Sequence, residues 1–348
     1  MKGASLKPAY FLLLAGCLAA AAHLGAQWER KLAVPLYGRD LLRAQSSEEE
    51  EEEEEESEEV QEYTSREKRT EKGTSQKIYR EGAAMKAQYG FVNFNKDRVT
   101  VSFGMTDADF KAYTRGYGYS DTDLAKLRIW RDATRTDVWN ETYRTAGKAA
   151  AERAIAEIDL DYDTKLRGLL RSRGLAMRAG NVVENDIPVI VKKNIKLLNP
   201  LANAFQKIAT ERKYSEENLV GAVVSMVQTA IRYKIPPNLE GELHTCGLLP
   251  PARSLLSGWG DCDTKSALLG SILGSWSGIK MVGVAVPGHY LMAIRRLPGK
   301  GDMFVRHGGL EYVLVEAAGP AWLEPGMVGE GTKALLAGKQ GYRLEPFF

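Results

Sequence analysis

Three residues far apart in the chain are of the types that acyl transfer through a thiol requires: Cys262, His289 and Glu316. Cys262 lies in Gly258-Trp-Gly-Asp-Cys-Asp-Thr-Lys-Ser266, where a glycine-rich turn runs into Leu268, Leu269, Ile272, Leu273 and Trp276. That spacing predicts a helix with one buried face and Cys262 at its start. There the positive end of the helix dipole favours the thiolate, the form that attacks a carbonyl. His289, in Pro287-Gly-His-Tyr-Leu-Met-Ala-Ile294, stands at the mouth of an alternating apolar run that reads as a strand, and can carry the proton. Glu311-Tyr-Val-Leu-Val-Glu316 reads as another strand, ending on a carboxylate able to hold the imidazole in one tautomer. Glu311 is five residues away and faces the other side of that strand, so only one of the two can serve His289.

Trp259-Gly-Asp-Cys-Asp263, the Gly288-His289 strand, and Val315-Glu316 followed by Gly319-Pro320 resemble the core of the transglutaminase-like superfamily of papain-fold cysteine enzymes. The bacterial transglutaminase-like cysteine proteases are the nearest in pattern. Met226-Val-Gln-Thr-Ala-Ile-Arg-Tyr-Lys-Ile-Pro236 is similar to the helix that precedes the nucleophile in that superfamily. The resemblance runs from about residue 216 to 320. It implies Cys262 as nucleophile, His289 as base, Glu316 as the orienting carboxylate, and Gln228 as a donor to the oxyanion beside the N–H of Cys262. Gln228 as an ordinary helix-packing side chain is the competing reading. Many relatives carry an acidic residue two positions after the cysteine; here that position is Thr264, which leaves the substrate class open.

Without the resemblance, Cys262 could be a small buried hydrophobe. His244-Thr-Cys246 adds two further possibilities: a zinc site made of His244, Cys246, Cys262 and His289, or a Cys246–Cys262 disulfide. Neither accounts for Asp261 and Asp263 beside Cys262. His23 and His307 have weaker contexts, the first near the amino-terminal segment and the second before Gly308-Gly309.

The elements that would position these groups occupy only part of the chain. With 348 residues, 44% of them apolar, it can bury a large core, and three cysteines do not make a disulfide-stapled scaffold. Residues 1–17 read as an export signal: a short basic start, an apolar run, then Leu14-Ala-Gly-Cys17, similar to the lipobox of bacterial lipoproteins. A lipid on Cys17 would tie the protein to a membrane in the cell envelope; cleavage near Ala22 or Ala26 would discard it. Glu48 to Glu56, with Glu58 and Glu59, concentrates eleven negative charges, and residues 18–80 are expected to form a disordered acidic tether. Because the whole chain carries +2, everything outside that run carries +13, so the tail could instead sit in a basic groove.

Residues 81–215 read as a mostly helical region with a short hairpin around Asn95-Lys-Asp-Arg98, and helix from Ile187 to Ala209 interrupted at Pro200. Tyr113, Tyr117, Tyr119, Trp130, Trp139 and Tyr143 suggest an aromatic cluster, read as helix-packing core ahead of a ligand platform. Asp159-Leu-Asp-Tyr-Asp163 fails as a calcium loop, with Thr164 and Leu170 at the glycine and glutamate positions, and reads as a solvated helix boundary. Residues 216–348 complete the expectation: an α+β fold whose papain-like core packs the Cys262 helix on antiparallel strands 281–286, 289–297 and 311–316. The expected function is an exported cysteine peptidase or amide hydrolase acting on a protein or peptide, a cell-wall peptide among the candidates, with no cofactor, no metal and no nucleic acid. The alternatives are a transglutaminase with an amine acceptor, and a non-catalytic envelope protein that binds a partner.

Overall fold

The computed structural model describes residues 66–70 and 73–347; the segment read as an export signal, Cys17 and the acidic run lie outside them. Four strands come first: β1 (Arg66–Thr70), β2 (Thr74–Glu81), β3 (Ala84–Val92) and β4 (Arg98–Thr106), an antiparallel meander in chain order. β4 alternates exposed and buried at every residue, sending Val99, Val101, Phe103 and Met105 inward, as a half-buried strand must. The expected hairpin is therefore present, as β3 and β4. The extended segment expected to reach about residue 80 ends sooner. Ser75–Glu81 pairs with β3, and Thr74 with Thr70 of β1, because Thr74, Ile78 and Tyr79 suit a pleated surface and β3 would otherwise present unpaired backbone.

Three helices follow: α1 (Asp107–Thr114), α2 (Asp121–Ala146) and α3 (Lys148–Ser172). Thr106 caps α1 by accepting from the N–H of Asp109, and Ser120 with Asp123 forms a reciprocal capping box on α2. α2 and α3 lie against each other as a long pair that buries little beyond Leu124, Ala151 and Leu170. The aromatic side chains do not gather in one cluster. Tyr113 and Tyr117 meet edge to face at 5.2 Å, Tyr119 stacks on His244, and Trp139 stacks on Tyr143 along α2. Asp159, Asp161 and Asp163 are not at a helix boundary but within α3, ion-paired to Arg135, Lys165 and Arg167.

β5 (Leu175–Met177), a 3-10 turn (Ala179–Asn181) and β6 (Val183–Asn185) lead to α4 (Ile187–Arg212). α4 runs through Pro200 without a break. Leu198, Leu201, Ala202 and Phe205 are all buried around the proline, and that packing outweighs one missing N–H. α5 (Glu216–Thr229) begins at Ser215, whose hydroxyl accepts from Asn218 N, and is buried throughout Leu219–Gln228. Then come β7 (Arg232–Tyr233), β8 (Leu239–Glu240), β9 (Leu243–His244), α6 (Pro251–Ser257), β10 (Trp259–Gly260) and α7 (Cys262–Leu273).

The last sheet contains β11 (Met281–Val286), β12 (His289–Arg295), β13 (Phe304–His307), β14 (Leu310–Val315) and β15 (Arg343–Pro346), with α8 (Glu330–Ala337) before β15. Its order is β13-β14-β12-β11-β15 and every pairing is antiparallel. The fold is thus α+β, with eight helices among the described residues. One buried cluster extends from Met85 to Phe347, so the core is continuous across residue 215; a second lies on the opposite face of the last sheet, with Leu335 and Leu336 of α8 against it. Every residue of α7 is buried, not one face alone, because α4, α5, α6 and β12 surround it.

Candidate active site

α7 begins at Cys262. Asp261 is its cap, with Oδ1 accepting from the N–H of Thr264 at 3.0 Å. Gly260 is required just before it: a Cβ there would lie 2.3 Å from Cγ2 of Thr264. The sulfur is 4% exposed at residue level and donates to Oδ1 of Asp263 at 3.5 Å. Ser266, one turn further along α7, donates to the carbonyl of Tyr290 at 3.3 Å, and Met292 approaches Gly270. The amino-terminal turns of α7 are therefore fastened to the start of β12, where His289 stands.

The β11–β12 hairpin pairs Val286 with His289 across Pro287-Gly288, with Gly288 at φ +70°. Along β12, Tyr290 and Met292 face α7, while Leu291 belongs to the opposite cluster; His289 shares the side of Leu291 by alternation. Glu316 immediately follows β14, on the side of Leu314. The structure joins the two side chains directly: Nε2 of His289 lies 3.1 Å from Oε1 and 3.2 Å from Oε2 of Glu316. Glu311 has the opposite parity and pairs with Arg306 instead. The choice of Glu316 over Glu311 thus agrees with strand alternation.

Glu316 is held from three sides. Oε1 accepts from the N–H of Ala318 at 3.2 Å, and Oε2 accepts from the hydroxyl of Thr332 on α8 at 2.8 Å. Burial alone would raise its carboxyl above the usual range. The hydrogen bond and charge of His289, with Thr332 and the Ala318 N–H, outweigh burial and hold it below that range. The carboxylate form is therefore the one the site is built around. With Nε2 committed to Glu316, Nδ1 is the nitrogen of His289 that a thiol can use.

Gln228 is at the end of α5 and 1% exposed. Nε2 donates to the carbonyls of Glu316 (2.7 Å) and Leu323 (2.9 Å), and Oε1 accepts from the N–H of Leu323 (2.9 Å). Both carboxamide hydrogens thus serve main chain, and the packing reading describes Gln228 better than the oxyanion role. Gly319 is needed in the same loop because a Cβ would lie 2.1 Å from the carbonyl oxygen of Gln228. Gln228→Leu should cost about 2–4 kcal/mol in urea unfolding, because it strands buried carbonyls and an N–H; a loss within experimental error would show that the loop does not depend on it.

Lys265 was not singled out in the sequence. It is 0% exposed, and Nζ donates to the carbonyls of Ile231 (2.8 Å) and Gln228 (3.4 Å). Burial pushes its ammonium down to about 7, against the opposing pull of Glu316, Asp261 and Cys262. The available signal was a lysine three residues into a helix whose other positions are almost all small or apolar.

The zinc set weighed in the sequence does not assemble. His244 contacts Asp121 at 3.1 Å and stacks on Tyr119, and Cys246 donates to the carbonyl of Val183 at 3.8 Å. Neither Cys246 nor Cys262 is in a disulfide. The group of potential ligands that does converge, Asp261, Cys262 and Asp263, is a consecutive run whose first member already caps α7. Beside His289 opens a cleft of about 450 Å³, lined among others by Asp263, Tyr290, Cys246, Glu184 and Arg343. Compared with protein-family models, with curated proteins and with solved structures, the chain has no match in any of the three.

Proposed function

We propose that the chain is a thiol-dependent acyl-transfer enzyme with a papain-like core of the transglutaminase-like kind, hydrolysing peptide or isopeptide amides. The observation that carries this reading is the buried His289–Glu316 pair, held at the end of the sheet to which the tip of α7 is fastened. α7 lies on the other face of that sheet, so in this reading the thiol and the imidazole have to meet around the end of β12, with the thiol leaving Oδ1 of Asp263. Nδ1 of His289 takes the thiol proton, the thiolate adds to the amide carbonyl, and the oxyanion lies at the positive end of α7. Collapse of the adduct breaks the C–N bond, the imidazolium protonates the leaving amine, and a thioester remains. Water, deprotonated by His289, then releases the acid and restores the thiol. An amine in place of water would make the product a new amide.

The cleft beside His289 is the substrate channel in this reading. Export and a membrane tether through a lipid on Cys17 belong to the same proposal. Among the described residues no helix is long and apolar enough to cross a membrane.

Cys262 and Cys246 are equally buried at 4% exposure, which makes them an internal control. With iodoacetamide at pH 7, Cys262 should react at least about tenfold faster than Cys246, since the thiolate is the reactive form. Equal, slow labelling of both would count against catalysis and favour a binding protein on the same fold.

A further inference from the structure

A second cavity, about 480 Å³, whose lining does not include His289, lies where α1, the end of α3 and the β8–β9 hairpin converge. Lys111, Arg115, Arg173 and Arg253 line it, with Glu240 as the acidic lining residue. Glu240 is taken by Arg253, in a two-pronged ion pair. Lys111, Arg115 and Arg173 have no carboxylate within ion-pair distance among the described residues. The crowding is felt nearby: burial and then the charge of Arg173 hold the Lys193 ammonium below its ordinary value.

We propose that this basic cavity is the docking site of the chain's own acidic segment, Glu48 to Glu59. Charge is the first argument: eleven carboxylates within twelve residues face three cations without acidic partners. The path of the chain is the second. β1 pairs Arg66 with Ile78 and Thr70 with Thr74, so the chain enters β1 from the Arg80 end of the meander. That is the end at which Arg80 pairs with Met85, and Met85 lines the cavity. β1 and β3 are separated by two strand spacings, about 10 Å, whereas the seven residues from Glu59 to Arg66 can span up to about 24 Å. Reach is sufficient. Exposed charge pairs are individually weak, but a short tether supplies an effective concentration near the millimolar range, so a modest affinity fills the site.

The test uses the full chain and a fluorescent synthetic peptide covering residues 46–60. In a variant with all eleven glutamates changed to glutamine, the cavity is vacated. At low salt the peptide should bind this variant about tenfold more tightly than the parent, whose own segment competes. Binding should fade toward 0.5 M salt, as screened charges require. Adding Lys111→Gln, Arg115→Gln and Arg173→Gln, none of them in the candidate active site, should abolish it; Arg173 is half-buried and donates to the carbonyl of Arg115, so the urea unfolding midpoint, and the Lys111→Gln, Arg115→Gln pair alone, serve as the folding control. Equal affinity for parent and glutamine variant, or binding that survives the three cavity substitutions, would overturn the proposal. So would concentration-dependent dimerisation of the parent that the glutamine variant lacks, since the occupant would then be a second copy. None of these readouts depends on catalysis.

Discussion

Glu316→Gln is expected to slow alkylation of Cys262 at pH 7 by more than tenfold, and acyl transfer by about 10²–10⁴-fold. The substitution keeps size: its one carbonyl oxygen can still accept from the N–H of Ala318, while the Thr332 hydroxyl turns to accept from the new amide N–H. What disappears is the negative charge against Nε2 of His289, 3.1 Å away. That charge steadies the imidazolium formed when the thiol gives up its proton, and fixes the tautomer that leaves Nδ1 able to accept. Without it, the pH midpoint of Cys262 alkylation should move upward. The same variant has a signature in stability. Because the folded carboxyl of Glu316 is held below its ordinary value, the pair contributes stability above about pH 4.5 that is lost as pH falls through the folded value. Glu316→Gln should flatten that acid limb. An unchanged alkylation rate would remove Glu316 from the mechanism.

The second large effect concerns Lys265. Burial lowers the folded ammonium from 10.5 to about 7. Between those two values the unfolded chain keeps a proton that the folded chain has released. Stability of the parent must therefore rise with pH across that window and level off below about pH 7, where both states are protonated. At about 1.4 kcal/mol per pH unit, the rise from pH 7 to pH 10 is on the order of 4 kcal/mol. Lys265→Met matches the length and removes the titration, so urea unfolding of parent and variant should differ by a quantity that moves with pH in the parent's favour. A constant difference from pH 7 to 10 would mean that the amine is better solvated than its surroundings imply. The two released carbonyls, of Ile231 and Gln228, add a pH-independent cost.

Local chemistry was the most legible part of the chain. Asp261 before Cys262, and Ser215 ahead of two glutamates, announce helix starts through their capping oxygens, and the helices begin there. The parity of Glu311 and Glu316 could be worked out from a two-residue period, and it shows that only one of them can meet His289; the preference for Glu316 came from the resemblance. Packing between distant segments was not legible. α7 shows an apolar pattern consistent with one covered face, yet four neighbours enclose it, and only their arrangement makes Lys265 a buried amine. Gln228 was likewise ambiguous, because its partners lie nearly ninety residues downstream and no local pattern names them. The long acidic run carried its neighbours with it in composition, and Thr74–Glu81, which has no clean two-residue alternation to mark it, is nonetheless a strand.

That strand carries Gln76, whose Nε2 donates to the carbonyls of Ala230 at 2.9 Å and Gly258 at 2.6 Å. Ala230 ends α5 just past Gln228, and Gly258 leads into the turn before Cys262. A shortened version of the chain starting beyond Glu81 would withdraw the donor from both loops at once and strip β3 of its neighbour. Trimming the amino terminus to obtain a minimal soluble fragment should therefore stop ahead of Thr74, however dispensable the residues between the acidic run and the cysteine look on paper.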